Sequence, residues 1–168
     1  MKNKNVLFLT QAAMITAIYV VLTFIANAFG LANYAVQVRF SEALTILPYF
    51  TPAAIPGLFV GCLLSNILTG CALPDIIFGS IATLLGALGT YALRRWKWLA
   101  PVCPIISNTI IVPLVLIYGY GLLIEELSVI QCFGYYCLTV GVGEVISCGI
   151  LGMILLFTLE KHHGRIFG

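Results

Sequence analysis

In "VQVRFSEALTILPYF", residues 36–50, Arg39 precedes Glu42 by three positions, and another isolated carboxylate, Glu144, stands in the apolar stretch "GVGEV". Asn66, Asp75 and Asn108 complete a small set of acids and amides in surroundings that are otherwise apolar. Groups of these types can hold the polar edge of a small molecule, or they can move a proton as a general acid or base. The second use lacks its partners. No Ser/His/Asp or metal-ligand arrangement presents itself, the G-x-x-x-x-G-K-[ST] phosphate loop is absent, and His162 and His163 lie beside Lys161 in the C-terminal tail. The six cysteines (62, 71, 103, 132, 137, 148) form no C-x-x-C and read as small buried hydrophobes, with Cys71, Cys132 and Cys137 the candidates for a disulfide. The expectation is a binding protein rather than an enzyme, with no cofactor.

Positioning these groups falls to membrane-embedded helices. Hydrophobic residues make up 61% of the chain and charged residues 8%, with a mean hydropathy of +1.10, where a soluble domain carries about 25% charged residues. A chain so poor in charge cannot cover a water-facing surface, so its lysines and arginines mark where it leaves a bilayer. A net charge of +2, scattered in short clusters, leaves no footprint for nucleic acid.

The 168 residues form one membrane domain with six apolar segments, at approximately 6–29, 42–50, 53–70, 74–93, 99–121 and 134–159. The basic groups at Lys2/Lys4, Arg94/Arg95/Lys97 and Lys161/Arg165 are expected on the cytoplasmic side, which puts both termini there. The first segment runs apolar for about 20 residues, longer than the roughly 7–15 of a signal peptide, and reads as a retained helix. Between residues 30 and 94 three crossings must fit into less than the usual ~20 residues each. Segment 42–50 is therefore expected to be a short second helix, broken from the next by Pro48 and Pro52. Irregular backbone survives at membrane depth only where protein buries it or a cavity adjoins it. The fold class expected is an all-α, six-transmembrane-helix bundle without internal repeats.

Gly57-x-x-x-Gly61, Ala82-x-x-x-Gly86 and Cys148-x-x-x-Gly152 mark close helix contacts, while Ala13-x-x-x-Ala17 marks either an internal contact or an outward face for a partner. Glu144 and Asn108, entering from opposite sides, reach a similar mid-membrane depth, and Gly141 and Gly143 would leave room beside Glu144. Each polar residue has two readings. Glu144 either contacts a ligand or is a protonated carboxyl bonded to a neighbouring helix, and Asn108 either contacts a ligand or bridges helices. Asp75, after Pro74, either faces a ligand or favours a helix N-terminus. Arg39 and Glu42 either serve the site or pair with each other.

Together, "VQVRFSEALTILPYF", "GLFVGCLLSNILTG", "PDIIFGS" and "GVGEV" resemble the queuosine-precursor transporter family, QueT, over roughly residues 7–160. Its members are substrate-binding (S) components of energy-coupling factor transporters. The resemblance implies six helices and a pocket near the outer face, covered by the loop after the first helix. It also implies a cell-membrane location and no ATPase of its own. Energy would come from a separate transmembrane coupling subunit and two cytoplasmic ATPases, with Ala13 and Ala17 in the place of the docking stripe.

Such a ligand, a 7-deazaguanine such as preQ1, preQ0 or queuine, presents N1–H and a 2-amino group that one carboxylate accepts as a pair. Its O6 accepts from an asparagine amide, and an aminomethyl version adds a cation for a second carboxylate. Glu144, Asn108 and Glu42 could meet those needs, with Arg39, Asn66 and Asp75 nearby and Tyr34, Tyr49 or Phe40 available for stacking. Which carboxylate takes which role stays open. So do an S component for another vitamin-like ligand and a stand-alone transporter using Glu144 as a proton site.

Overall fold

The computed structural model describes residues 4–30 and 38–161, and every regular element among them is helical. In order they are α1 (Lys4–Ala28), a 3₁₀ helix (Phe40–Tyr49), α2 (Ala54–Leu68), α3 (Leu73–Ala92) and a 3₁₀ turn (Lys97–Leu99). Then come α4 (Val102–Leu114), continued by a π segment (Val115–Gly119), and α5 (Val129–Glu144), continued by a second π segment (Val145–Leu151) into α6 (Gly152–Glu160). Four stretches are long and apolar enough to cross a membrane: Lys4–Ala28, Leu73–Ala92, Lys97–Gly119 and the rod Val129–Glu160. The 3₁₀ helix and α2, at 10 and 15 residues, are shorter. The 3₁₀ rise of about 2 Å per residue still carries its ten residues roughly 20 Å.

Pro48 lies inside the 3₁₀ helix, as it does inside the expected segment 42–50, and the chain turns after Tyr49, where Phe50 and Thr51 both donate their N–H to the Leu47 carbonyl. The last rod begins at Val129, five residues before the expected 134. A capping box explains the early start: Ser128 accepts from the Gln131 backbone while the Gln131 side chain accepts from the Ser128 N–H.

The 3₁₀ helix is the axis of the bundle. Ser41 through Pro48 are all buried, packed by α1, α2, α3 and the α5–α6 rod. Bare glycines allow this density. A Cβ on Gly57 would lie 2.8 Å from the Ala12 carbonyl oxygen, one on Gly61 2.8 Å from Tyr19 Cβ, and one on Gly152 3.1 Å from Ile46. The Gly57/Gly61 pair thus seats α2 on α1, and Gly86 seats α3 on Pro104 of α4.

One end of the bundle is apolar, with Ile15, Leu44, Leu47, Leu58 and Leu156 in a common cluster. The Thr51 hydroxyl donates to Gln11 at 3.0 Å and the Thr90 hydroxyl to the Ala100 carbonyl at 2.8 Å there. Lys97 meets Glu160 at 3.4 Å, so the basic cluster and the end of the last helix lie together, as the expected hairpin requires. The other end is polar and hollow.

All six cysteines are free, so no disulfide joins Cys71, Cys132 and Cys137. α1 is the most peripheral of the long helices: 11% of its apolar window is buried, against 39–44% for the others. Ala12, Ile15 and Tyr19 face inward, while Ala13 and Ala17 are exposed on the outer side. Lys2, Tyr34, His162, His163 and Arg165 lie outside the described residues.

Candidate binding cavity

A 3₁₀ helix repeats every three residues, so positions i and i+3 eclipse each other. Arg39, Glu42 and Thr45 therefore form one polar line along the buried axis. Phe40, Ala43, Ile46 and Tyr49 form another, which turns toward Gly152 through Ile46. This register separates the expected site residues. Arg39 and Glu42 reach the cavity. Phe40 lies half-buried outside its lining, and Tyr49 stands at the far end of the helix, its ring 4.9 Å from Phe50 against the apolar cluster. Tyr34 lies outside the described residues.

The cavity has two chambers. The outer one, of about 290 Å³, is lined by Thr23, Arg39, Asn66, Cys71, Asp75 and Tyr120, with Val112 and Leu116 among its apolar walls. Beneath it lies a niche of about 10 Å³ lined by Arg39, Glu42, Thr83, Asn108, Val140 and Glu144. Arg39 and Val112 belong to both and mark the junction.

In the niche, Glu42 is held from both sides. The Tyr19 hydroxyl donates to Glu42 Oε1 at 2.5 Å, and the Asn108 amide reaches Oε2 at 3.4 Å. Cys148 donates to Glu144 Oε2 at 3.1 Å and lies 3.3 Å from the Glu42 carbonyl oxygen and from the Thr45 hydroxyl. One ligand atom each from Glu42, Glu144 and Cys148 falls within 4.8 Å of the others, all three side chains buried. That spacing would accommodate a cation. Arg39 makes no ion pair with Glu42: among the described residues the one pair within 4 Å is Lys97–Glu160.

In the outer chamber Asp75, in the first turn of α3, is 8% exposed. Its Oδ2 lies 3.5 Å from the Tyr120 hydroxyl, which accepts from the Ala72 N–H at 3.0 Å. Asn66 Nδ2 donates to the Asp75 carbonyl at 3.4 Å. Gly79, one turn further on, keeps the space below open, since its Cβ would approach Asp75 Oδ1 to 3.2 Å and Asn66 Nδ2 to 3.3 Å.

The π segments border this region. Pro113 withholds a backbone donor just before Val115–Gly119, and the second widened turn begins directly after Glu144. Gly141, expected to leave room beside Glu144, instead faces Thr109 of α4, whose Cγ2 would lie 3.4 Å from a Cβ added there. Tyr19, Thr23 and Tyr120 were not legible as site residues, because a Tyr or Thr in an apolar helix carries no sign of which side faces a cavity.

Long apolar helices around a buried polar cavity define a multi-pass α-helical membrane protein. The family model described as "QueT transporter" matches residues 9–161, and the chain belongs to that transporter family. It is 30% identical over 98 residues to the "Queuosine precursor transporter QueT" of Lactococcus lactis subsp. cremoris (strain MG1363). That match covers 58% of this chain and 57% of the relative's length. No solved structure matches.

Proposed function

We propose that this chain is the substrate-capture (S) component of an energy-coupling factor importer, binding a queuosine precursor of the 7-deazaguanine class in an intramembrane pocket that opens outward. The observation that carries the reading is the two-chambered cavity. A roomy outer space bearing Asp75, Asn66 and Arg39 leads down to Glu42, Asn108 and Glu144, which suits a planar heterocycle rich in donors along one edge. The relative's name supplies the substrate class. In this reading the six helical passages all span the plasma membrane with both termini cytoplasmic. The chain carries out no chemistry, and its partners are a transmembrane coupling subunit and two cytoplasmic ATPases.

The test is a binding titration of the purified chain alone with preQ1, preQ0 and queuine, and with thiamine and riboflavin as controls. Binding of a deazaguanine without ATP or partners supports the reading. Absence of binding by folded protein, with proton-driven uptake by the chain alone in liposomes, overturns it in favour of a stand-alone transporter. Ala13 and Ala17 lie on the exposed side of α1, the side offered to the coupling subunit. Ala13→Leu should leave the ligand Kd unchanged while abolishing uptake by the reconstituted complex. Loss of binding in that variant would remove the docking assignment.

A further inference from the structure

We propose that the ligand divides between the two chambers: Asp75 reads the two-ring base in the outer chamber, and the Glu42–Glu144 pair receives a cationic substituent in the niche. This rests on the deazaguanine reading above and assigns the carboxylates within it. The pair in the niche, not the seat of the base, then selects aminomethyl ligands over neutral ones.

Size gives the first argument. A void of about 10 Å³ holds one water-sized group, so no ring enters the niche, but an ammonium does. The outer chamber, at about 290 Å³, approaches the lower end of ordinary ligand pockets.

Order gives the second. Around a 7-deazaguanine the groups run from the 2-amino group through N1–H and O6 to the C7 substituent. Down the cavity the residues run from Asp75 in the outer chamber through Arg39 at the junction to Glu42 and Glu144. Asp75 accepts from N1–H and the 2-amino group, Arg39 donates to O6, and the C7 group enters the niche. Asp75 is well placed for this, nine-tenths buried and kept clear below by Gly79.

Charge gives the third. Arg39 is the one cationic side chain lining either chamber among the described residues, against three carboxylates at Glu42, Asp75 and Glu144. An ionised carboxylate is costly to bury unless matched, and a cationic ligand supplies the partner with which the niche acids can ionise.

The experiment titrates wild type, Glu144→Gln and Asp75→Asn with preQ1, which carries the aminomethyl group, and with preQ0, which carries a nitrile there. Wild type should prefer preQ1. Glu144→Gln should weaken preQ1 on the order of 10- to 100-fold, the scale of a lost charge-assisted hydrogen bond, and leave preQ0 nearly unchanged. Retained preQ0 binding also shows that the variant is folded. Should that variant bind neither ligand, Glu144→Asp, which keeps the charge but withdraws it, should lower preQ1 alone. Asp75→Asn should weaken both ligands alike. Gly79→Ala, which displaces the same carboxylate without removing it, should do the same. Parallel loss of both ligands in the Glu144 variants, or equal wild-type affinity for the two, overturns the assignment. Failure of wild type to bind either ligand strikes the deazaguanine reading instead.

Discussion

Replacing Gly61 with alanine tests whether α1 is seated through a glycine contact that also serves the site. The added Cβ would lie 2.8 Å from Tyr19 Cβ and 3.0 Å from Tyr19 Cγ. Ordinary contact begins at 3.4 Å, so α1 and α2 must part by the difference, about 0.6 Å. Overpacking of this kind costs about 1–3 kcal/mol, offset by the roughly 0.5–1 kcal/mol that alanine gains over glycine inside a helix. The net destabilisation is about 0–2.5 kcal/mol, centred near ~1 kcal/mol, a fall of a few degrees in Tm for a chain of this length.

Gly134, in α5, provides the control. A Cβ there meets nothing within 4 Å, so Gly134→Ala keeps the helix gain without the clash and should raise Tm slightly. The assay is thermal melting of the detergent-solubilised protein, followed by tryptophan fluorescence. The two substitutions should differ in sign. A Gly61→Ala variant that melts at or above wild type refutes the reasoning, because α1 would then be free to shift without loss.

Tyr19→Phe removes the hydroxyl that donates to Glu42 at 2.5 Å. It leaves that oxygen buried without its shortest partner and should weaken preQ1 about 10-fold; an unchanged titration would detach Tyr19 from the site. Cys71 lines the outer chamber and is half-buried, whereas Cys62, Cys132 and Cys148 are buried. A membrane-impermeant maleimide should therefore label Cys71 among these four, and bound ligand should slow the reaction. Labelling at an unaltered rate under saturating ligand would place the ligand elsewhere.

The long apolar stretches at α1, α3, α4 and the α5–α6 rod were legible because length and hydropathy alone specify them. The Gly57/Gly61 contact was legible because small residues four apart are meaningful on a helix that packs in lipid. Glu42, Asn66, Asp75, Asn108 and Glu144 were legible because acids and amides in an apolar chain are costly unless the structure uses them. Direction was not legible. In a helix hydrophobic all round, nothing marks the inward side, so Tyr19 and Tyr120 passed unnoticed while Tyr49 and Phe40 were expected at the cavity. The three-residue repeat of the axial helix decides that last pair, and a segment of ten mostly apolar residues does not declare a 3₁₀ rather than an α period.

The hydrogen bond from Tyr19 to Glu42 joins the floor of the cavity to a helix whose opposite side is bare. Among the described residues no other element stands between the acid and that outer surface. Under the binding proposed above, a shift of the Glu42 carboxylate toward a ligand would pull on α1 through this single hydrogen bond, and occupancy would then be felt on the outer side of the same helix.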